Sequence, residues 1–524
     1  MRVVFRADAS NTIGTGHVMR CLSLAEALRE RGAKCAFVFR DHKGHLIEKI
    51  RQEDFECIAL AKSTEIREKD DADEPVLAHA EWLGESWQSD AKQTIEALGA
   101  ERVDWLVVDH YALDKRWEEI LRPHAKNIMV IDDLADRGHD CDLLLDQNLA
   151  ANFKTRYQHL LPEHCATLLG PQYALLQPEY AELHPRTPPR MGPVKRILVF
   201  FGGADQPNLT GRAVSAFLKL KCDDIMLDVV MSPNHPHEGE IHTLAHPYSN
   251  IAVHDVLPTL APLMLRADLA IGGGGATSWE RCCLGLPSLV ITLADNQKPI
   301  TAELEARGLV RWLGHYDAVT DDMIIDALKA AIDAADLNSW SLTCMSVTDG
   351  LGVERVASAL ALNSETKLKA RLTRLEDEAL LLRWANDPLV RTNSFNAEII
   401  PAETHRKWFY ERLRDSENCK IYIVETNEGL PIGQVRFQKV EDEWELHYSL
   451  AAIGRGQKIG HKMLVVAIDE FRASFDQVTI LAQVRKNNKA SQKALEQLGF
   501  QKEEKAGKLV YRNNFLSKRL AHAD

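Results

Sequence analysis

No run in this 524-residue chain is long and apolar enough to cross a bilayer, which takes about 20 consecutive apolar residues. The opening stretch MRVVFRAD lacks the unbroken apolar segment of a secretory leader, because Arg6 and Asp8 interrupt it. Positive charge is also short. The 63 Lys and Arg stand against 76 Asp and Glu, and the resulting net charge of −13 attracts neither nucleic acid nor an anionic membrane. The 10 cysteines show no C-x-x-C spacing and form no disulfide framework, which suits a reducing, cytoplasmic setting. What is present is ordinary: 45% hydrophobic and 27% charged residues, in a chain too long for one core. Two to four domains are expected.

Two composition shifts divide the chain. The proline-rich HPRTPPRMGPV at 184–194 cannot continue a helix or a central strand and reads as a linker, and so does the polar LALNSETKLKARL at 360–372. The expected domains are therefore 1–183, 194–360 and 369–520. The first has strand-like runs RVVFRA, KCAFVFR, DWLVVD and NIMVID, and the second has KRILVFFGG, IMLDVVMS, DLAIGGGG and LPSLVITLA. Helical stretches separate them all. Such alternation builds parallel sheets covered by helices on both faces, so two doubly wound, Rossmann-like α/β domains with a cleft between them are expected.

The stretch NTIGTGHVMRCLSLAEAL, at 11–28, has the first two glycines of a dinucleotide turn, Gly14 and Gly16, but Met19 where the third belongs. Val18, Cys21, Leu22, Ala25 and Leu28 recur at helical spacing, which puts His17 in the first turn of a helix. The positive end of the helix dipole favours a neutral imidazole there, fit to take a proton from a water or hydroxyl. A histidine that caps the loop or packs on the sheet is the alternative.

The second unit supplies phosphate chemistry. ILVFFGGADQPN ends a strand on Gly202 and Gly203; LAIGGGGATSWERCCLGLP ends another on Gly272, Gly273, Gly274 and Gly275, then opens a helix through Ser278 and Glu280. Glycines permit close backbone approach and amides at a helix start point at an anion, so a diphosphate is the natural guest, with Glu280 accepting from a ribose diol. A tight turn followed by an ordinary acidic residue is the other reading.

RADASNTIGTGHVMRCLSLAEAL, VVDHYALD, IDDLADRGHDCDLLLDQN, LLGPQYALLQPEY, FFGGAD and IGGGGATSWERCCLGLPSLVITLADNQ, taken together and in order, resemble the UDP-2,4-diacetamido-2,4,6-trideoxy-β-L-altropyranose hydrolases of pseudaminic acid biosynthesis, relatives of the B-type glycosyltransferases. The resemblance runs from residue 1 to about 355. It implies metal-independent hydrolysis to UDP and the free diacetamido sugar, with His17 as general base. It further implies UDP held by the Gly272–Gly275 turn, Ser278 and Glu280, with Asn296 and Gln297 of LADNQ placed to reach sugar or diphosphate. Arg20, Asp109, His110, Tyr111 and Asp133 are cleft candidates at strand ends, though buried pairing accounts for an aspartate there equally well. UDP can depart unprotonated if amides hold its charge.

The third unit differs. WELHYSLAAIGRGQKIGHKMLVVAIDEF reads as a strand ending near Leu450, a basic glycine-containing turn, then an amphipathic helix. It resembles the acyl-CoA loop of the Gcn-five-related N-acetyltransferases (GNAT), an α+β fold. Arg455, Gly456, Gln457, Lys458, Ile459 and Gly460 match the R/Q-x-x-G-x-G/A pattern, with Lys458 in the place of a glycine. VRKNNKASQKALEQLGF matches the second signature through Asn488 and Ser491, but Leu495 replaces the tyrosine often used there as general acid. The resemblance implies acetyl-CoA as co-substrate. Alternation in WELHYSL puts Glu445, His447 and Ser449 on one face and Trp444, Leu446 and Tyr448 on the other; His447 or Glu445 as a base and a plain surface edge both remain open.

His235, His237, His242 and His246 cluster within SPNHPHEGEIHTLAHP, but prolines break the helix around them and no acidic base follows, so a solvated loop is expected rather than a metal site. Three functions follow: a UDP-sugar hydrolase joined to an acetyltransferase that acetylates its 4-amino precursor, an acceptor-dependent B-type glycosyltransferase fused to an acetyltransferase of other specificity, and a non-catalytic nucleotide-sugar sensor indifferent to His17. Nucleic-acid and membrane partners are not expected.

Overall fold

In the computed structural model the described residues are 1–60, 77–202, 205–231, 235–254, 257–334, 337–475, 477–505 and 508–516. They fall into two compact units, Met1–Ala357 and Ser358–Asp524. The first unit holds two parallel sheets. One comprises β1 (Arg2–Ala7), β2 (Lys34–Arg40), β3 (Glu56–Leu60), β4 (Val103–Asp109), β5 (Ala125–Ile131), β6 (Leu143–Asp146) and β7 (Ala166–Leu169), in the order β3-β2-β1-β4-β5-β6-β7. The other comprises β8 (Arg196–Phe200), β9 (Met226–Val230), β10 (Ile251–His254), β11 (Leu269–Gly272), β12 (Ser288–Thr292) and β13 (Arg311–His315), in the order β10-β9-β8-β11-β12-β13. Central strands such as β1 and β12 are buried almost throughout because helices cover both their faces.

Each sheet reverses its strand order once, between β1 and β4 and between β8 and β11. A crevice opens beyond the carboxyl ends of the strands at such a point, and ligands of open α/β sheets bind there. Register sets Ala7 beside Asp109 and Phe200 beside Gly272, so the two candidate sites begin where two non-consecutive strands end together. Strands β3, β6, β7, β10 and β13, of four or five residues each, carry too little pattern to be read from sequence.

The second unit is a mixed sheet: β14 (Leu368–Leu372), β15 (Cys419–Thr426), β16 (Pro431–Val440), β17 (Glu443–Leu450), β18 (Gln477–Val484), β19 (Gln501–Lys505) and β20 (Lys508–Leu516), in the order β14-β15-β16-β17-β18-β20-β19. All neighbours are antiparallel except β17 and β18, which run parallel for only two pairs, Trp444↔Ile480 and Glu445↔Leu481, and then part. The α+β expectation holds, and so do the two doubly wound sheets.

Both expected linkers need revision. Within 184–194, Arg190 is buried and donates to the carbonyls of Met264 (2.7 Å), Ala267 (3.1 Å) and Leu284, so this segment is strapped to the second sheet's helices. The end of 360–372 is strand β14, paired with β15 along its length. Charged residues at alternate positions disguise it, because an edge strand can expose them.

Candidate functional site

His17 is the second residue of the helix Gly16–Glu30, on which Val18, Cys21, Leu22, Ala25 and Leu28 are all buried. Its environment is set mainly by a residue far along the chain. Asp109, at the end of β4 and fully buried, lies 2.6 Å from His17 Nδ1 and accepts both Nε and Nη2 of Arg20 at 2.6 Å. Burial alone would raise its pKa, but the paired Arg20 guanidinium and the His17 hydrogen bond outweigh burial and hold the carboxyl well below the usual range. An ionised Asp109 can only accept, so Nδ1 carries the proton and Nε2 is left as the basic nitrogen. Beside the helix dipole, which acts on His17 in the first turn, the Asp109 carboxylate fixes its tautomer and orientation.

Around this dyad the cleft candidates divide. Arg20 continues to Asp133 at 3.6 Å, and Asp133 accepts from the Tyr111 hydroxyl. The Tyr111 ring meets the His17 imidazole edge-on at 4.6 Å and stacks on Trp82 at 5.5 Å, with His79 4.4 Å from Trp82. Trp82 and His79 thus form an aromatic shelf beside the base that sequence reasoning missed, since they sit in a turn without periodicity. His110 points away, its Nε2 3.2 Å from Asp8. Arg6 and Asp8 belong to a buried ion network with Arg40 and Asp90 beneath the loop, so their role is in the fold. Gly14 takes φ +81° and its amide donates to the Ser10 carbonyl at 2.8 Å, which closes the turn leading into Gly16.

At the second crevice the glycines divide by what a Cβ would meet. At Gly272 it would lie 2.2 Å from the Phe200 carbonyl oxygen, at Gly274 2.6 Å from Thr301 Oγ1, and at Gly273 3.1 Å from Leu293 Cδ1. Only Gly275 is open, with Gln297 Nε2 3.9 Å away. The reading that all four glycines serve ligand approach is therefore corrected for Gly272 and Gly274, which are small because the sheet and the helix Gln297–Ala306 pack against them. Gly202 has φ +88° and open space; Gly203 lies outside the described residues.

The Ser278 hydroxyl accepts from Arg281, which also donates to the Gly273 carbonyl at 2.8 Å and so pins the turn. Glu280 is half-buried, and its Oε2 has no hydrogen-bond partner. Burial pushes its carboxyl up to about 7, against smaller opposing effects of Tyr180 and Arg281. The Gln297 carbonyl oxygen accepts from the Leu293 amide at 2.9 Å, while Asn296, at the helix start, makes no capping bond. A further contact joins the two crevices. Asn148 donates to Asp133 at 2.8 Å and accepts from the Trp279 indole at 2.8 Å, and Trp279 lies between Ser278 and Glu280 on the helix Thr277–Cys283. A chain of hydrogen bonds, with one ion pair between Arg20 and Asp133, thus runs from His17 through Asp109, Arg20, Asp133 and Asn148 to the glycine-turn helix.

In the second unit the parting of β17 and β18 opens a cavity of about 750 Å³, lined among others by Leu450, Arg455, Gly460, Asn488 and Ser491. The loop after Leu450 holds Gly456 at φ +75° and Lys458 at φ +59°. Lys458, in the place of the pattern's glycine, therefore occupies a left-handed conformation of the kind glycine adopts without strain, and its side chain is exposed. Ile459 is buried as an anchor, and Gly460 starts the helix Gly460–Arg472. Arg455 is not a free cation: its Nη2 pairs with Asp387 at 2.6 Å and donates to the Leu450 carbonyl at 3.3 Å. Asn488 caps the helix Lys489–Gln497 by accepting from the Ser491 amide at 3.1 Å.

Leu495 is fully buried, but Tyr448 lines the cavity beside Ser491, its hydroxyl without a hydrogen-bond partner of good geometry. Burial pushes that phenol up to about 12 and keeps its proton on. His447 and Glu445 form a pair at 3.4 Å.

Among the described residues no three His, Cys, Asp or Glu side chains converge as a metal site, and no helix is long and apolar enough to cross a membrane. His235, which is buried, lies 3.5 Å from Asp205 and His237 bonds the Gln206 carbonyl at 3.0 Å, both partners lying in the loop after β8.

Residues 367–501 match the acetyltransferase (GNAT) domain family. An uncharacterized protein of Methanocaldococcus jannaschii is 22% identical over 514 residues, covering 96% of this chain and 98% of its own. The UDP-2,4-diacetamido-2,4,6-trideoxy-beta-L-altropyranose hydrolase of Campylobacter jejuni is 24% identical over 309 residues, 59% of this chain and 97% of that protein. A Helicobacter pylori protein named pseudaminic acid cytidylyltransferase and UDP-2,4-diacetamido-2,4,6-trideoxy-beta-L-altropyranose hydrolase is 24% identical over 225 residues, 43% of this chain and 40% of its own length. The chain joins a part related to nucleotide-sugar enzymes of the pseudaminic acid pathway to a C-terminal GNAT domain.

Proposed function

We propose that the first unit hydrolyses UDP-2,4-diacetamido-2,4,6-trideoxy-β-L-altropyranose and that the second acetylates its 4-amino precursor with acetyl-CoA. The observation that carries the hydrolase reading is the Asp109-oriented imidazole of His17 at one crevice, tied through Asn148 to the glycine-turn helix at the other. His17 Nε2 takes a proton from water as the oxygen attacks the anomeric carbon. The bond from that carbon to the diphosphate oxygen breaks, and UDP leaves with its charge held by the amides around Gly275. Trp82 and Tyr111 offer an apolar wall to the deoxy and acetamido methyl groups. In the second unit the substrate amine bonds to the acetyl carbon as the carbon–sulfur bond breaks; Tyr448 gives its proton to the departing thiolate, the nitrogen sheds its extra proton to water, and water returns a proton to Tyr448.

The test is to incubate the purified full-length protein with the UDP-linked 4-amino sugar, with and without acetyl-CoA, in 18O water, and to identify products by mass spectrometry. UDP and a free diacetamido sugar should form only with acetyl-CoA, the label entering the sugar. UDP release that requires an added acceptor sugar would favour a glycosyltransferase instead, and label in the UDP would exclude attack at carbon.

Two further outcomes follow. A carboxylate must be ionised to accept from two ribose hydroxyls, and Glu280 titrates at about 7 before the ligand arrives. UDP should therefore bind about tenfold more tightly at pH 8 than at pH 6, beyond whatever change a Glu280→Gln protein shows by calorimetry. Equal pH profiles in the two proteins would remove Glu280 from the ribose site. Tyr448→Phe should lower the acetyl-transfer kcat by about 10² while the KM for acetyl-CoA stays within twofold; an unchanged kcat would leave the thiolate to water.

A further inference from the structure

The cavity of the second unit is cationic in a protein of net charge −13. Its lining includes Arg391, Arg436, Arg455 and Arg485, and no aspartate or glutamate. Three of these guanidinium groups are engaged. Arg455 pairs with Asp387, Arg485 donates to the carbonyls of Thr392 and Ser394 at 2.9 Å, and Arg391 reaches those of Asn396 and Glu398 at 3.3 Å. Arg436 is the exception among the described residues. It stands on β16 opposite His447, its guanidinium 5.2 Å above the Trp408 ring, with no hydrogen bond or ion pair and with Nε buried and unpartnered. Burial lowers its pKa, and Glu445, whose charge it feels, pairs with His447 at 3.4 Å.

A half-buried guanidinium whose buried Nε has no acceptor is costly, and the fold retains it on a wall of the pocket. Trp408 holds the planar group by its face and leaves the N–H fork for a ligand. That fork suits phosphate or carboxylate oxygens in bidentate fashion. Arg436 stands opposite His447, before the loop that follows Leu450, and so lines the same cavity as that loop without belonging to it.

We propose that Arg436 is an anion-recognition residue for the acyl acceptor, and that the acceptor is an amine carrying a phosphate, of the nucleoside-diphosphate-sugar class, and not a polyamine or a basic peptide. This rests on the acetyltransferase reading above. A polycation entering this pocket would meet arginines and no carboxylate, whereas a diphosphate supplies the acceptor oxygens that Arg436 lacks.

The experiment uses the full-length protein and its Arg436→Gln and Arg436→Lys variants. Thiol release from acetyl-CoA is followed with three amines: the UDP-linked 4-amino sugar, the same amino sugar without UDP, and spermidine. The wild type should prefer the UDP-linked amine by at least 10² in kcat/KM. Arg436→Gln should raise its KM at least tenfold and leave the KM for acetyl-CoA within twofold, which also shows that the domain is folded, and Arg436→Lys should recover part of the loss. An unchanged KM for the UDP-linked amine in Arg436→Gln, or equal use of spermidine by the wild type, would overturn the subsite. A raised KM for acetyl-CoA alone would place a coenzyme phosphate on Arg436 and overturn it equally. If the wild type acetylates none of the three amines, the acetyltransferase reading itself fails and the subsite falls with it.

Discussion

Replacing His17 by alanine is expected to slow UDP release from the diacetamido UDP-sugar by about 10² to 10⁴, the range a positioned general base contributes, while the Kd for UDP stays within twofold. The separation follows from geometry. His17 is held by Asp109 at the first crevice, whereas the glycine turn, Glu280 and Gln297 stand at the second. Asp109→Asn should cost a comparable factor by another route, because an amide can donate to Nδ1 and so leave the proton on Nε2, the wrong tautomer for a base. That variant also removes the carboxylate that Arg20 grips through two 2.6 Å bonds, and breaking such a buried pair costs about 3–5 kcal/mol, so its thermal unfolding must be measured beside its activity. His17→Ala carries no such penalty and is the decisive variant. Near-normal turnover would remove the base from His17.

Arg455→Glu should weaken acetyl-CoA binding at least tenfold, about 1.4 kcal/mol, and leave hydrolysis of an already acetylated UDP-sugar unchanged. The new carboxylate would stand against Asp387, now 2.6 Å from the Arg455 guanidinium, and beside the bound pyrophosphate. Asp387 also caps the helix Pro388–Asn393 through the Leu389 and Val390 amides, so repulsion there would loosen one wall of the cavity as well. Lys458→Gly is the contrasting variant. It relieves a left-handed conformation at φ +59° that costs an ordinary residue about 1–2 kcal/mol, and should keep acetyl-CoA affinity and stability at least as high as before. Calorimetry with acetyl-CoA checks both, and hydrolysis that fails in Arg455→Glu would mean that the two activities are coupled.

The local grammar of the chain carried much of this. Strand, glycine turn, helix is a sequence of neighbours, and it is legible at Gly14 to His17, at Gly272 to Glu280 and at Leu450 to Gly460 because each turn's chemistry lies within a few residues. Apolar runs alternating with helical periods likewise determined the doubly wound class, and the Lys458 substitution was visible as a departure whose backbone consequence the structure then displayed. The pairings that give those turns their chemistry are not neighbours. Asp109 lies 92 positions from His17, and Asn148 lies 131 from Trp279. Periodicity shows that a strand exists but not beside which other strand it lies; the crossover that sets β4 against β1 brings Asp109 under the imidazole. The same holds for Gly272 and Gly274, small because of what packs on them, for the engagement of Arg455 by Asp387, and for the isolation of Arg436, since a side chain's partner, or its lack of one, is decided by which distant segments the sheet order brings together.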